Sequence, residues 1–157
     1  MPWCVRKCPY CDFNSHAVPD GKLSLELERE YLQALVEDFK TQIDFAQGRA
    51  IHSVFIGGGT PSLISAQGYQ WLFAQLKALL PFAENCEITL EANPGTVEHD
   101  PFSGYLEAGI NRLSIGVQSF NTGHLQKLGR IHSNADAVSA IQLAKEAGFE
   151  RINVDLM

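Results

Sequence analysis

Ile51-His52-Ser53-Val54-Phe55-Ile56 runs directly into Gly57-Gly58-Gly59-Thr60-Pro61. Six residues rich in β-branched and aromatic side chains predict a short buried strand. The glycine triplet and the proline behind it predict that the strand ends in a tight turn. Upstream, Leu25, Leu32, Leu35, Val36, Phe39 and Ile43 recur at the three-and-four spacing of one helix face, and Ser24 stands where an N-cap belongs. Downstream, Tyr69, Leu72, Phe73, Leu76, Leu79 and Leu80 mark a second helix, stopped by Pro81.

The same unit then recurs. Cys86 to Glu91 is strand-like, Asn93-Pro94-Gly95 is a turn, and Asp100-Pro101 is placed to open a third helix as N-cap and first residue, with Gly109 closing it. Arg112 to Val117 reads as a strand, Asn134 to Ala147 as a helix with Gly148 beyond its end, and Arg151 to Leu156 as a final strand. Strands alternating with helices predict an α/β fold of right-handed βαβ units around a parallel sheet. Ligands of such folds bind at the carboxyl ends of the strands. That address collects Gly57 to Thr60, Glu91, Gln118 and Asp155.

One domain is expected over 1–157, since no linker or low-complexity tract interrupts the pattern. Both ends read as cut: the first cysteine stands three residues from Met1 with no strand ahead of it, and the chain stops at Met157 in or just after a strand. A piece of a longer protein is expected. The net charge of −6, with 12 scattered Lys and Arg, argues against a nucleic-acid surface. No stretch approaches the roughly 20 apolar residues that span a bilayer, and no secretion signal is visible, so the expected location is the cytoplasm.

Three of the four cysteines lie in Cys4-Val5-Arg6-Lys7-Cys8-Pro9-Tyr10-Cys11. In a reducing compartment such a group is a metal or catalytic site more often than a disulfide framework. Cubane iron-sulfur clusters are usually held by four thiolates, so a C-x3-C-x2-C loop supplying three would leave one iron open to a further ligand. Arg6 and Lys7 are expected to favour the thiolate form. The competing reading is a zinc site completed by His16, although zinc ligands more often come as two separated pairs. Cys86 is expected to be a small buried hydrophobe, and His16, His52, His99, His124 and His132 to be solvated loop residues. The glycine triplet matches neither the phosphate-loop nor the dinucleotide pattern. Its interest lies in sharing a sheet edge with the cysteine loop.

These stretches together resemble the radical S-adenosylmethionine (SAM) superfamily. The resemblance is carried by Pro2-Trp3-Cys4 through Ser15, with an aromatic Tyr10 before the third cysteine, and by Gly57 to Pro61, Glu91 to Pro94, Gly116 to Phe120 and Asn153 to Leu156. It implies a partial (β/α)6 TIM-like barrel lacking its first and last strands and its C-terminal domain. It also implies a [4Fe-4S] cluster on Cys4, Cys8 and Cys11 whose open iron binds S-adenosyl-L-methionine. One electron from the cluster then cleaves that cosubstrate to methionine and a 5′-deoxyadenosyl radical. Tyr10, Gly58, Gly59, Thr60, Glu91, Gln118, Arg130 and Asp155 match positions that contact it. The branch resembled holds heme chaperones of the HemW type and oxygen-independent coproporphyrinogen III oxidases. The oxidases carry a fourth cysteine where this sequence has Phe13, which favours the chaperone reading, with heme as cargo and heme-accepting proteins such as respiratory enzymes as partners.

Overall fold

A computed structural model describes residues 1–95 and 100–157; His99 lies outside them. The chain runs through β1 (Trp3–Cys4), β2 (His16–Ala17), α1 (Leu25–Ala46), β3 (Ile51–Ile56), α2 (Ala66–Leu79) and β4 (Phe82–Ala92). It continues through α3 (Phe102–Glu107), β5 (Arg112–Gln118), α4 (Thr122–Lys127), α5 (Asn134–Glu146) and β6 (Ile152–Leu156). The main sheet has the order β3-β4-β5-β6, parallel throughout, while β1 and β2 form a separate parallel pair. Spatial order equals chain order, the arrangement reached when successive right-handed βαβ units all wind in one direction. Among the described residues no helix is long and apolar enough to cross a membrane.

Capping sets the helix starts. The hydroxyls of Ser24 and Ser65 accept from the amides of Leu27 and Gly68, and Ser133 forms a capping box with Asp136. Asp100, expected to cap the third helix, does something else. Pro101 holds the N-cap position of α3, and the Asp100 carboxylate accepts from the Ala66 amide at 2.7 Å, joining the start of α2 to the start of α3.

The central strands alternate with a period of two. Cys86, Ile88, Leu90 and Ala92 on β4 and Leu113, Ile115 and Val117 on β5 are buried with Tyr69, Leu72, Phe73, Phe102 and Tyr105 in one core. The register pairs Leu90 with Leu113, and Glu91 with Ser114, which in turn pairs with Asn153 on β6. Paired residues share a face. The opposite face is therefore a polar row of Glu91, Ser114 and Asn153, with Arg112 and Arg151 reaching Glu87 at 3.9 and 3.2 Å lower on the sheet.

Three expectations are corrected here. β3 is not buried: it pairs only with β4 among the described strands, and Phe55 is 62% exposed. Cys4, expected on a loop with no strand ahead of it, lies on the two-residue strand β1. His132 is no solvated loop residue; it is 4% exposed, and its Nε2 lies 2.9 Å from the Val117 carbonyl oxygen. Cys86 is buried, as its apolar surroundings suggested.

The fully buried Tyr105 hydroxyl donates toward the carbonyls of Ser62 (2.7 Å) and Ile64 (3.0 Å), fixing the segment that links the glycine turn to α2. Tyr105→Phe leaves buried carbonyls without that donor and is expected to cost about 1–3 kcal/mol. Chemical denaturation measures this, and an unchanged midpoint would contradict the linking role.

Candidate functional site

The glycine turn and the N-terminal segment hold each other by their backbones. The Gly59 amide donates to the Met1 carbonyl (2.7 Å) and the Thr60 amide to the Trp3 carbonyl (2.6 Å). On the other side of the same segment, the amides of His16 and Val18 donate to the carbonyls of Pro2 (2.7 Å) and Cys4 (2.9 Å). Side chains would prevent this approach: a Cβ on Gly58, at φ 108°, would stand 2.6 Å from the Met1 carbonyl oxygen, and one on Gly59 would overlap that of Trp3. Cys4 is consequently fixed against the end of β3.

Beyond Cys4 the loop turns back through a Cys11 amide to Cys8 carbonyl bond of 3.1 Å. Gly129, at φ 67°, gives Pro9 room to pack, since a Cβ there would come within 2.7 Å of the proline ring. The three thiols are unpaired, and all three cysteines line one open cleft of about 160 Å³. Every other predicted site residue lines the same cleft: Tyr10, Gly58, Gly59, Thr60, Glu91, Gln118, Arg130 and Asp155. His16, the zinc alternative's fourth ligand, is exposed on β2 and does not line it.

Arg130 joins the far end of the chain to the cysteine loop. Its Nη2 donates to Asn93 Oδ1 (2.5 Å) and the Gly116 carbonyl (2.6 Å), and its Nη1 reaches Tyr10 Oη (3.4 Å) and lies 3.6 Å from Cys8 Sγ. The cation at a thiol is therefore Arg130. Lys7, one of the two cations expected in that role, donates instead to the Phe13 carbonyl at 2.9 Å and closes the cysteine loop on itself. Arg6 does line the cleft. Burial pushes the Tyr10 phenol above its ordinary value, with Arg130 pulling the other way.

Two carboxylates face the cleft from β4 and β6. Glu91 Oε2 accepts from the Gly58 amide at 3.1 Å, tying the glycine turn to the next strand. Asp155 accepts from Ser114 Oγ (3.0 Å) and Asn153 Nδ2 (2.7 Å), so its orientation is set by the polar row of the sheet. Gln118 ends β5 in a left-handed conformation, φ 65°, where the pairing with β6 shifts register. A non-glycine residue in that region is strained, and such strain gathers at functional sites. Asn93 and Ser114 line the cleft as well and were not among the expected residues. The alternation of Glu91, Ala92 and Asn93 at the end of a strand was the signal available for Asn93, whereas Ser114 lay within a run read only as a strand.

Burial is the main cause that raises the Glu91 pKa; the Gly58 amide partly offsets it and Asp155 reinforces it. A raised folded-state value means that the folded protein keeps this proton to higher pH than the unfolded chain. The stability Glu91 contributes is full below the ordinary carboxylate range and is lost as pH rises through the raised value. Glu91→Gln, which stays neutral, is therefore expected to gain stability relative to the parent as pH rises across that window. Thermal midpoints of the unloaded proteins measured over a pH series test this; a difference that does not vary with pH would contradict it.

Comparison with known proteins agrees with this geometry. The model of the radical SAM superfamily matches residues 1–157. The chain is 52% identical over 161 residues to the heme chaperone HemW of Haemophilus influenzae and 51% identical over 157 residues to that of Escherichia coli. Those alignments cover all of this chain and 41% and 40% of the relatives, so the chain spans about 40% of the length of the curated relatives it matches. Among solved structures, Escherichia coli coproporphyrinogen III oxidase (HemN), described as a radical SAM enzyme, superposes with a TM-score of 0.83 at 28% identity, covering 99% of this chain and 35% of that one. The parallel α/β arrangement is thus a partial TIM-like barrel of that type. With the family matched from end to end and the cysteine loop seated at the carboxyl ends of a parallel sheet, the chain belongs to the radical SAM superfamily.

Proposed function

We propose that this chain is the core of a HemW-type heme chaperone, in which Cys4, Cys8 and Cys11 hold a [4Fe-4S] cluster whose open iron takes S-adenosyl-L-methionine. The whole protein would reside in the cytoplasm and deliver heme to acceptor proteins such as respiratory enzymes. The observation that carries this reading is the meeting of three unpaired thiols, the glycine turn and both carboxylates on one cleft. The identity near 50% to HemW proteins supports the chaperone branch.

The donor set fits the implied cluster. Each cysteine of a cubane ligates a different iron, so the thiols need not converge on one point. Among the described residues no three His, Cys, Asp or Glu side chains are gathered to hold a single metal ion. Bound together, the cluster and cosubstrate would supply one-electron reductive cleavage of a carbon–sulfur bond.

The chain's own residues prepare the site for that ligand. Arg130 places a positive charge beside Cys8. Gly58 and Gly59 leave the cleft wall free of side chains, and Thr60 follows them into it. Glu91 and Asp155 offer carboxylate oxygens suited to an ammonium group and to ribose hydroxyls. Tyr10 and Gln118 flank the opening between the cysteine loop and the sheet.

A second reading, an oxygen-independent coproporphyrinogen III oxidase, is favoured by the structural match to HemN. Phe13, at the position of that enzyme's fourth cysteine, weighs against it. The full-length protein prepared anaerobically tests both. Expected are about four irons and four sulfides per chain, their loss in Cys8→Ala, and heme that binds and passes to an apo-acceptor. Failure to bind heme would end the chaperone reading, and vinyl-group formation from coproporphyrinogen III would favour the oxidase. One zinc with no iron or sulfide would overturn the cluster itself.

A further inference from the structure

Arg130 has five N–H donors, and four of them are directed at the pairs of partners of its two terminal nitrogens. The fifth, on Nε, is buried and has no partner among the described residues. His132, two residues on, carries the complementary defect. Its Nε2 lies 2.9 Å from the Val117 carbonyl, and a carbonyl oxygen can only accept, so Nε2 bears the ring proton. In the neutral ring Nδ1 is then a bare acceptor, and it too is buried without a partner. Burial, the larger cause, and the charge of Arg130 both lower the His132 pKa, which favours that neutral form; the Val117 bond and Asp136 act in the opposite direction.

Both residues line one small, partly open pocket beside the cysteine loop, which shares Cys8, Thr60, Asn93 and Arg130 with the cleft described above. Its water-sized space is about 20 Å³. One water needs roughly 10–15 Å³ and two or more polar partners. A donor and an acceptor, each without a partner among the described residues, beside water-sized space, suit one bridging solvent molecule.

We propose that this cavity binds one structural water, which accepts from Arg130 Nε–H and donates to His132 Nδ1. The water completes the donor set of the guanidinium and so fixes it against Cys8 and Tyr10. His132 is accordingly a positioning residue that acts on the cysteine loop through water and Arg130, without touching the loop's sulfurs. This assignment stands on the two unpartnered atoms and the cavity, whatever group the cysteines hold.

A high-resolution crystal structure of the full-length protein reads the site directly. One ordered water within hydrogen-bond distance of both Arg130 Nε and His132 Nδ1 is expected. Their direct contact, satisfaction by other protein groups, or a dry cavity would overturn the proposal. Solution nuclear magnetic resonance of the same protein gives a second reading: His132 is expected as the Nε2–H tautomer, and the Arg130 Nε–H as a slowly exchanging proton. In His132→Phe, which removes the acceptor, that proton is expected to exchange several-fold faster while backbone amides of α5 keep their protection. An unchanged rate in the folded variant would contradict the bridge, and the crystal structure of the parent protein decides the matter should the variant not fold.

Discussion

The close backbone contact between Gly59-Thr60 and Met1–Trp3 is the constraint on which the site depends. A cysteine loop has no structure of its own strong enough to aim three thiols, because loops of this length bury little apolar surface. Here the aim is borrowed from the sheet: the turn that ends β3 bonds to the two residues that lead into Cys4. The bonds form because Gly58 and Gly59 carry no Cβ, and the same absence leaves an open cleft wall beside the thiols. One sequence feature thereby positions the loop and makes room for its ligand.

The second tie runs across more than a hundred residues. Arg130 joins Cys8 and Tyr10 to Asn93 and the Gly116 carbonyl, so the cysteine loop, the end of β4 and the end of β5 share one cation. Gly116 leaves room for this, since a Cβ there would stand 2.9 Å from Asn93 Oδ1 and push that amide aside. Charge-assisted bonds of this kind are stronger than neutral ones, and burial strengthens them further. The polar face of the sheet follows the same logic: Ser114 and Asn153 orient Asp155, and Gly58 orients Glu91. The cleft is ordered by its own hydrogen bonds before any ligand enters.

Much of the architecture was legible from local patterns. The helix periodicity of α1, the stop at Pro81, and the glycines after β3, α3 and α5 each act over a few residues, and each appears where those signals placed it. The residues gathered at the carboxyl ends of the strands were legible because a parallel sheet gives every strand end the same address. What escaped depends on distant partners. The Asp100 carboxylate left its local capping role because the Ala66 amide, far away in sequence, needed an acceptor. His132 is buried because Val117 offers it a carbonyl. Lys7 turned to Phe13 while the cation for Cys8 came from Arg130. α4 and the β1–β2 pair are too short for periodicity to reveal, and the exposure of β3 goes with its pairing on one side alone among the described strands.

In the proposed site three thiols leave one iron of a cluster open to S-adenosyl-L-methionine. Electron paramagnetic resonance of the anaerobically reconstituted, reduced full-length protein, recorded with and without the cosubstrate, tests it most directly. A [4Fe-4S]+ signal is expected whose g-values shift when the cosubstrate is added, because a new ligand reaches the open iron. A cluster signal that the cosubstrate leaves unchanged would contradict it.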